Sequence, residues 1–361
     1  MPFFHYDNIK IAGVASAVPT QRVSLEEFAD DFGTETVEKF TKLTGVKEFR
    51  RTRLHQTASD LGFVAAERLL AHKNVDRSEI GALVFIAHSV DYRRPATACV
   101  LHKRLGLSKE CAAFDIGLGC SATVYGLQTL GSMMANSDIT KALLITGETL
   151  TKMVNPKDRS VAMLFGDGGS AILLEKAENS PLDVLLRSDG EGYKAIIAPA
   201  GGYRNMEAPR EDAVWPDGNI RNLYNTYMNG TDVFSFTISD VPVAIRDFME
   251  KTGTGVDDYD CFAFHQANQY ISKQLAKKFK IPMEKMPLCI DRYGNTSAPA
   301  VTMALCDRYG DASGEQVRTM FCCFGVGLSW GVASAEISAD DILPIVETDE
   351  LFEEGVINAP F

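Results

Sequence analysis

Short apolar runs that alternate with amphipathic helical patterns constrain this chain more than any other feature. The runs fall at 82–87, 111–116, 142–146, 170–174, 261–264, 288–290 and 319–324. Each is short, uninterrupted by charge or nearly so, and therefore reads as a strand buried on both faces. Helical patterns lie between them at 58–71, 97–105, 121–135, 241–252 and 267–279. Strands that alternate with helices predict an α/β layered fold.

The two halves of the chain echo each other. Leu83 to His88 resembles Cys261 to His265, each an apolar run after an acidic segment and each ending in histidine. Leu143 to Gly147 pairs in the same way with Met320 to Gly325. Phe114-Asp115 followed by Cys120-Ser121-Ala122 matches Ile290-Asp291 followed by Asn295 to Ala298, each taken as a strand, a turn and a helix start. A period of roughly 175 residues is too long for a solenoid repeat. It predicts a duplicated domain with halves at 1–176 and 177–338, and an appended acidic tail at 339–361. The turns at Cys120 and Asn295 would then face each other across a pseudo-twofold axis. Residues 199–230 break the pattern with Gly, Pro, Asn and Tyr, and long irregular segments of this kind are often functional covers.

Composition narrows the function. Across 361 residues, 36 Lys+Arg stand against 48 Asp+Glu, a net charge of −12, which disfavours a general nucleic-acid binder. No stretch approaches the roughly 20 apolar residues of a membrane helix, and no secretory leader is expected at the N-terminus. Eight cysteines without CxxC spacing predict reduced thiols and a cytoplasmic setting, not a disulfide scaffold or a zinc site.

Three residues could carry chemistry. Cys120 sits in Gly117-Leu118-Gly119-Cys120-Ser121, between a strand and a helix. There a helix N-terminus lowers a thiol pKa and offers N–H groups to an oxyanion. His265 follows a strand and precedes a helix, at the strand end where open α/β sheets place ligands. Asn295, in Tyr293-Gly294-Asn295-Thr296, is expected at an equivalent turn. The glycine motifs 165–170 and 324–331 lack the features of a phosphate loop or a dinucleotide fingerprint and predict close backbone approaches. Beyond His265, Lys273, Lys277 and Lys280 form a basic stripe on one face of a helix, suited to an acidic or phosphorylated partner.

Together these segments resemble the β-ketoacyl-acyl carrier protein synthase III family of the thiolase superfamily. The resemblance runs from about residue 9 to 337. It rests on 114–127 around Cys120, Asn155 to Arg159, Phe165 to Gly168, His265 to Asn268, Gly294 to Ala298 and Phe324 to Gly331. It implies a five-layered αβαβα fold of two duplicated halves, a homodimer, and a Cys120-His265-Asn295 triad. It further implies an oxyanion hole from the backbone of Cys120 and Val326, and substrate contacts at Arg159, Arg94, His88, Asn268 and Phe324. Lys273, Lys277 and Lys280 would dock the carrier protein.

The implied reaction loads an acyl group on Cys120 and condenses it with a malonyl thioester after loss of carbon dioxide. Coenzyme A or carrier-protein thioesters are the substrates, and no metal or cofactor is needed. Acyl transfer to an alcohol or amine without decarboxylation is the rival reaction on the same fold. The sequence also departs from the family pattern. Lys39 and Leu43 stand where a Trp and an Arg often stack on adenine, Tyr270 replaces an Arg, and Arg94 replaces a pocket-wall Phe. Arg94 points to a polar or unusual acyl group.

Overall fold

The computed structural model describes residues 2–358 and contains two large sheets. The first has six strands in the order Val346–Thr348, Ile9–Pro19, Gly168–Lys176, Lys141–Glu148, Ile80–Ile86, Ala112–Ile116. The second has five, in the order Phe3–Tyr6, Leu182–Ser188, Ser329–Ser338, Gln316–Gly325, Cys261–Phe264.

Five layers result. Helix Ala58–His72 and helix Thr97–Arg104 cover the outer face of the first sheet, where Leu69 and Leu101 meet Leu83, Phe85 and Ile145. Helices Ala122–Ala135 and Ala300–Tyr309 lie between the sheets, packed on Val84, Leu144 and Ile172 from one and Val184, Phe321 and Ala333 from the other. Helices Gly230–Thr252 and Gln269–Phe279 cover the second sheet through Phe248, Leu275, Phe262 and Phe264. Alternate residues of one strand thus enter different apolar layers, which is why these strands read as unbroken apolar runs.

The echoes have structural counterparts. Ile80–Ile86 runs parallel to Lys141–Glu148 with Ile86 opposite Thr146, and Cys261–Phe264 runs parallel to Gln316–Gly325 with Phe264 opposite Cys322. The expected strand at 288–290 does not form. Gln266 Oε1 accepts both the Cys289 and the Ile290 N–H at 3.0 Å, and the backbone turns into a short helix, Ile290–Tyr293. One glutamine thereby does what a neighbouring strand would do.

The acidic tail is not appended. Val346–Thr348 pairs in parallel with the end of Ile9–Pro19, Val346 opposite Ala17. Its carboxylates meet arginines of the N-terminal half: Glu347 with Arg22 and Arg50, Asp349 with Arg53, Glu350 with Arg104. The Gln56 amide donates to the Thr348 and Glu350 carbonyls, both at 3.1 Å. Conversely, Phe3–Tyr6 pairs with Leu182–Ser188 of the second sheet, so both chain ends cross to the other half. Residues 359–361 of the expected tail lie outside the described residues.

Candidate active site

The carboxyl ends of the parallel strands converge from both sheets. Ile80–Ile86 delivers His88, Ala112–Ile116 leads to Cys120, Cys261–Phe264 leads to His265, and Gln316–Gly325 leads to Val326. Cys120, His265 and Asn295 all line one cavity of about 560 Å³. His88, Asn268, Phe324 and Val326 line it too. Arg159 and Arg94 do not: both are exposed and lie outside the wall formed by their own chain.

Cys120 stands just before helix Ala122–Ala135. Its Sγ is 3.2 Å from Ser297 Oγ. Burial pushes its thiol pKa up. The Ser297 hydroxyl and the Val326 and Cys120 backbone pull it down, while the Glu148 charge adds to the rise. The expectation that the helix end alone would lower this thiol is therefore reversed in the free protein, because desolvation of a thiolate outweighs a partial dipole charge. Gly325 is required by the close approach: a Cβ there would lie 2.5 Å from Cys120 Cβ and 2.8 Å from Sγ.

His265 is buried, and its backbone N–H donates to the Cys322 carbonyl at 2.8 Å. Its ring meets Phe324 edge-on at 5.3 Å. Nδ1 has no hydrogen-bond partner among the described residues. Burial pulls the pKa down to about 4, against a smaller opposing contact with the Ser297 backbone, so the ring is neutral at neutral pH.

Asn295 is held from three sides. Its N–H donates to Leu164 O at 2.9 Å, and its carbonyl accepts from Gly166 N at 3.2 Å. The side-chain Oδ1 accepts the Ser297 N–H at 2.9 Å, which leaves Nδ2, 3.4 Å from Ala267 O, as the donor end. Asn295 therefore follows a short helix and a glycine turn, not the strand that the echo predicted. The glycine motif at 165–170 explains the tight fit: a Cβ on Gly166 would stand 2.0 Å from the Tyr293 carbonyl. Within that motif, buried Asp167 accepts from the N–H and hydroxyl groups of both Thr52 and Thr151, at 2.7 to 3.0 Å.

Most of the remaining wall is apolar. Leu150, Met153, Ile196, Met228, Val233 and Phe234 line it. Met228 belongs to the irregular segment, whose end pairs back on the residues before it, Met228 with Ile196 and Tyr227 with Ile197. Sequence reasoning missed this wall, and it missed Ser297 and Glu148. Ser297 has a left-handed φ of 60°, unusual outside glycine. Its place in Gly294-Asn295-Thr296-Ser297 was the available signal. Glu148, a lone carboxylate ending an apolar strand, was another.

Lys273, Lys277 and Lys280 are exposed at helix Gln269–Phe279, opposite buried Ile271 and Leu275. Lys273 is 2.9 Å from Gln269 Oε1. No group of three or more His, Cys, Asp or Glu side chains suited to a metal occurs among the described residues.

Five alternating layers of helix and sheet around a site at the strand ends define the thiolase-fold enzymes. Comparison narrows the class. Models for 3-oxoacyl-[acyl-carrier-protein (ACP)] synthase III and for its C-terminal part match residues 114–190 and 249–337. The chain is 32% identical over 336 residues to a putative 3-oxoacyl-[acyl-carrier-protein] synthase 3 of Campylobacter jejuni, covering 91% of this chain and 94% of that protein. It is 33% identical to the β-ketoacyl-[acyl-carrier-protein] synthase III of Caldanaerobacter subterraneus, covering 89% and 95% of the two. The 3-oxoacyl-(acyl-carrier protein) synthase structure from Burkholderia xenovorans superposes with a TM-score of 0.90 at 32% identity, covering 96% of this chain and 99% of that one. The chain belongs to the β-ketoacyl-acyl carrier protein synthase III family, and it is a condensing acyltransferase of that type.

Proposed function

We propose that Cys120 attacks an acyl thioester and carries the acyl group as a covalent thioester. The N–H groups of Cys120 and Val326 hold the tetrahedral oxyanion. A malonyl thioester then enters, and His265 and Asn295 hydrogen-bond its thioester carbonyl. Loss of carbon dioxide leaves an enolate, which attacks the acyl carbon and releases the β-ketoacyl product from Cys120.

One observation carries this reading. The thiol shares its cavity with a buried imidazole whose pKa is pulled to about 4 and an amide that presents Nδ2 as its donor end. Two neutral donors stabilise an enolate without supplying a strong acid to quench it. The apolar wall supports an apolar acyl group over the polar one suggested by Arg94. Asn268, His88 and Phe324 contact substrate in this scheme.

The donor is a coenzyme A or acyl carrier thioester, with Lys273, Lys277 and Lys280 facing the acidic carrier beside the cavity. Arg159, exposed on the loop before the strand Gly168–Lys176, serves the phosphate end of that donor. The enzyme acts as a homodimer in the cytoplasm. Among the described residues Ala112–Ile116 is paired on one side only, and its Ala113, Phe114 and Ile116 are half-buried, which suits a second copy across that edge. No described helix is long and apolar enough to cross a membrane.

Intact mass after incubation with a panel of acyl thioesters tests the chemistry. An acyl adduct absent from Cys120→Ala, then discharged by malonyl thioester with release of carbon dioxide, is expected. Discharge onto an alcohol or amine without carbon dioxide would overturn condensation. Light scattering on the purified chain reads the dimer.

A further inference from the structure

The thiol and His265 are poorly matched for proton transfer. Burial raises the proton affinity of Cys120 and lowers that of His265 to about 4. A second histidine stands in the same cavity. His88 packs on the residue before the nucleophile: a Cβ on Gly119 would lie 2.9 Å from His88 Cδ2 and 3.2 Å from Nε2. The ring is exposed, and neither nitrogen has a hydrogen-bond partner among the described residues.

Behind it lies Glu148, fully buried at the end of Lys141–Glu148. Glu148 accepts the His88 N–H at 2.9 Å, the Ser89 N–H at 3.1 Å and the Ser89 hydroxyl at 2.6 Å. Burial raises its proton affinity, and the His88 and hydrogen-bond contributions oppose the rise.

We propose that His88, seated between Glu148 and the Gly119-Cys120 turn, takes up the Cys120 thiol proton during acylation. The Sγ–H bond breaks as Sγ–C forms, and the proton moves to a free ring nitrogen of His88. When the thioester C–S bond breaks, His88 returns the proton to the departing thiolate, which leaves as a thiol. Glu148 is the positioning residue: it holds the His88 backbone N–H at the end of its own strand. His265 is left for the malonyl carbonyl. The proposal rests on Cys120 being the nucleophile, and it separates two histidines that one triad would otherwise conflate.

Alkylation of Cys120 by iodoacetamide tests it without any acyl donor. The Cys120 peptide is followed by mass spectrometry between about pH 6 and 9. Cys99, an exposed thiol elsewhere, gives the internal reference in the same digest. The groups that face the reporter are Glu148, His265 and Ser297, with Cys323 beside it, so the profile is compared across variants and not assigned to one group.

In His88→Gln the rise of alkylation with pH should move up by about one unit, with at least about tenfold slower alkylation at pH 7. The rates should converge with wild type at the alkaline end. Glu148→Gln removes a charge that raises the Cys120 proton affinity but keeps an acceptor for the His88 N–H, so it should not slow alkylation as His88→Gln does. A His88→Gln profile that superimposes on wild type, normalised to Cys99, overturns the proposal. So does a lowered melting temperature with an unchanged Cys120-to-Cys99 ratio. Failure of every thioester to acylate wild type would instead defeat the synthase reading, and the alkylation profile would still decide the role of His88.

Discussion

Arg221 offers the sharpest energetic test of how the substrate wall is held. It is fully buried, as is its partner Asp158, and its Nε donates to Asp158 Oδ2 at 2.5 Å. Nη2 reaches Asp217 Oδ2 at 2.8 Å, and the guanidinium lies 5.0 Å from the Trp215 ring and 5.2 Å from Tyr227. These contacts fasten the irregular segment to the loop after Met153. The Thr226 N–H donates to Met153 O at 2.8 Å, and Asn155 Nδ2 donates to Asp212 at 2.8 Å. Arg221→Met keeps the apolar stem against the rings and removes the charge. Breaking a buried ion pair by deleting one partner costs about 3–5 kcal/mol, because the other charge is left uncompensated. Asp158 keeps its bonds from the Ser160 N–H and hydroxyl, so the lower end, about 3 kcal/mol, is expected. Urea unfolding measures it. Arg221→Met with Asp158→Asn should recover most of the loss, since no stranded charge remains. Because Tyr227 pairs with Ile197 and Met228 with Ile196 in the cavity wall, the single variant should also raise KM for acyl thioesters more than it lowers kcat. A loss below about 1 kcal/mol, or a double variant no more stable than the single, would refute the uncompensated-charge reasoning.

Three further outcomes are expected. Gly325→Ala should cut acylation by at least about a hundredfold and cost about 1–3 kcal/mol in urea unfolding, because its methyl overlaps Cys120. Asn295→Asp keeps the acceptor for the Ser297 N–H but replaces the Nδ2 donor with an anion. Condensation should fall about a hundredfold, read as carbon dioxide release, while the acyl adduct still forms on Cys120. His265 has a folded pKa of about 4 against an unfolded value of 6.5, so the folded state binds fewer protons between these values. Stability should therefore be full above about pH 6.5 and fall by about 3 kcal/mol as pH drops to about 4, a loss that His265→Gln should reduce in pH-dependent urea titrations.

Much of the fold was legible because its signals are local. Both faces of the strands Ile80–Ile86 and Lys141–Glu148 are buried, so their sequences carry an apolar run that no solvent face dilutes. The turns at Cys120 and His265 follow such runs directly, and a nucleophile or imidazole placed there has nowhere to point but the strand-end cavity. The segment at 288–290 has the same local appearance and a different outcome. Its backbone donors are taken by Gln266, more than 20 residues earlier, and no periodicity records that. The tail misled for a related reason. Its acidic composition resembles a solvated extension, but Glu347, Asp349 and Glu350 each meet an arginine about 250 to 325 residues earlier in the chain.

The active site shows the same division between local and distant causes. Position could be read for Cys120, but proton affinity could not, because that depends on what surrounds the sulfur. Ser297 and Val326 approach it from the second half and Glu148 from the end of Lys141–Glu148, two strands away in the sheet, and burial outweighs the helix end that the sequence displays. Arg94 illustrates the converse. A charged side chain at a pocket-wall position suggests a polar substrate only if the side chain reaches the pocket. Here Arg94 is exposed, the neighbouring Arg93 bonds to the Gly201 carbonyl, and Ile196, Met228 and Phe234 complete the wall. Part of the cavity wall thus comes from a segment whose sequence looks like a loop, held in place by a buried arginine that does not itself line the cavity.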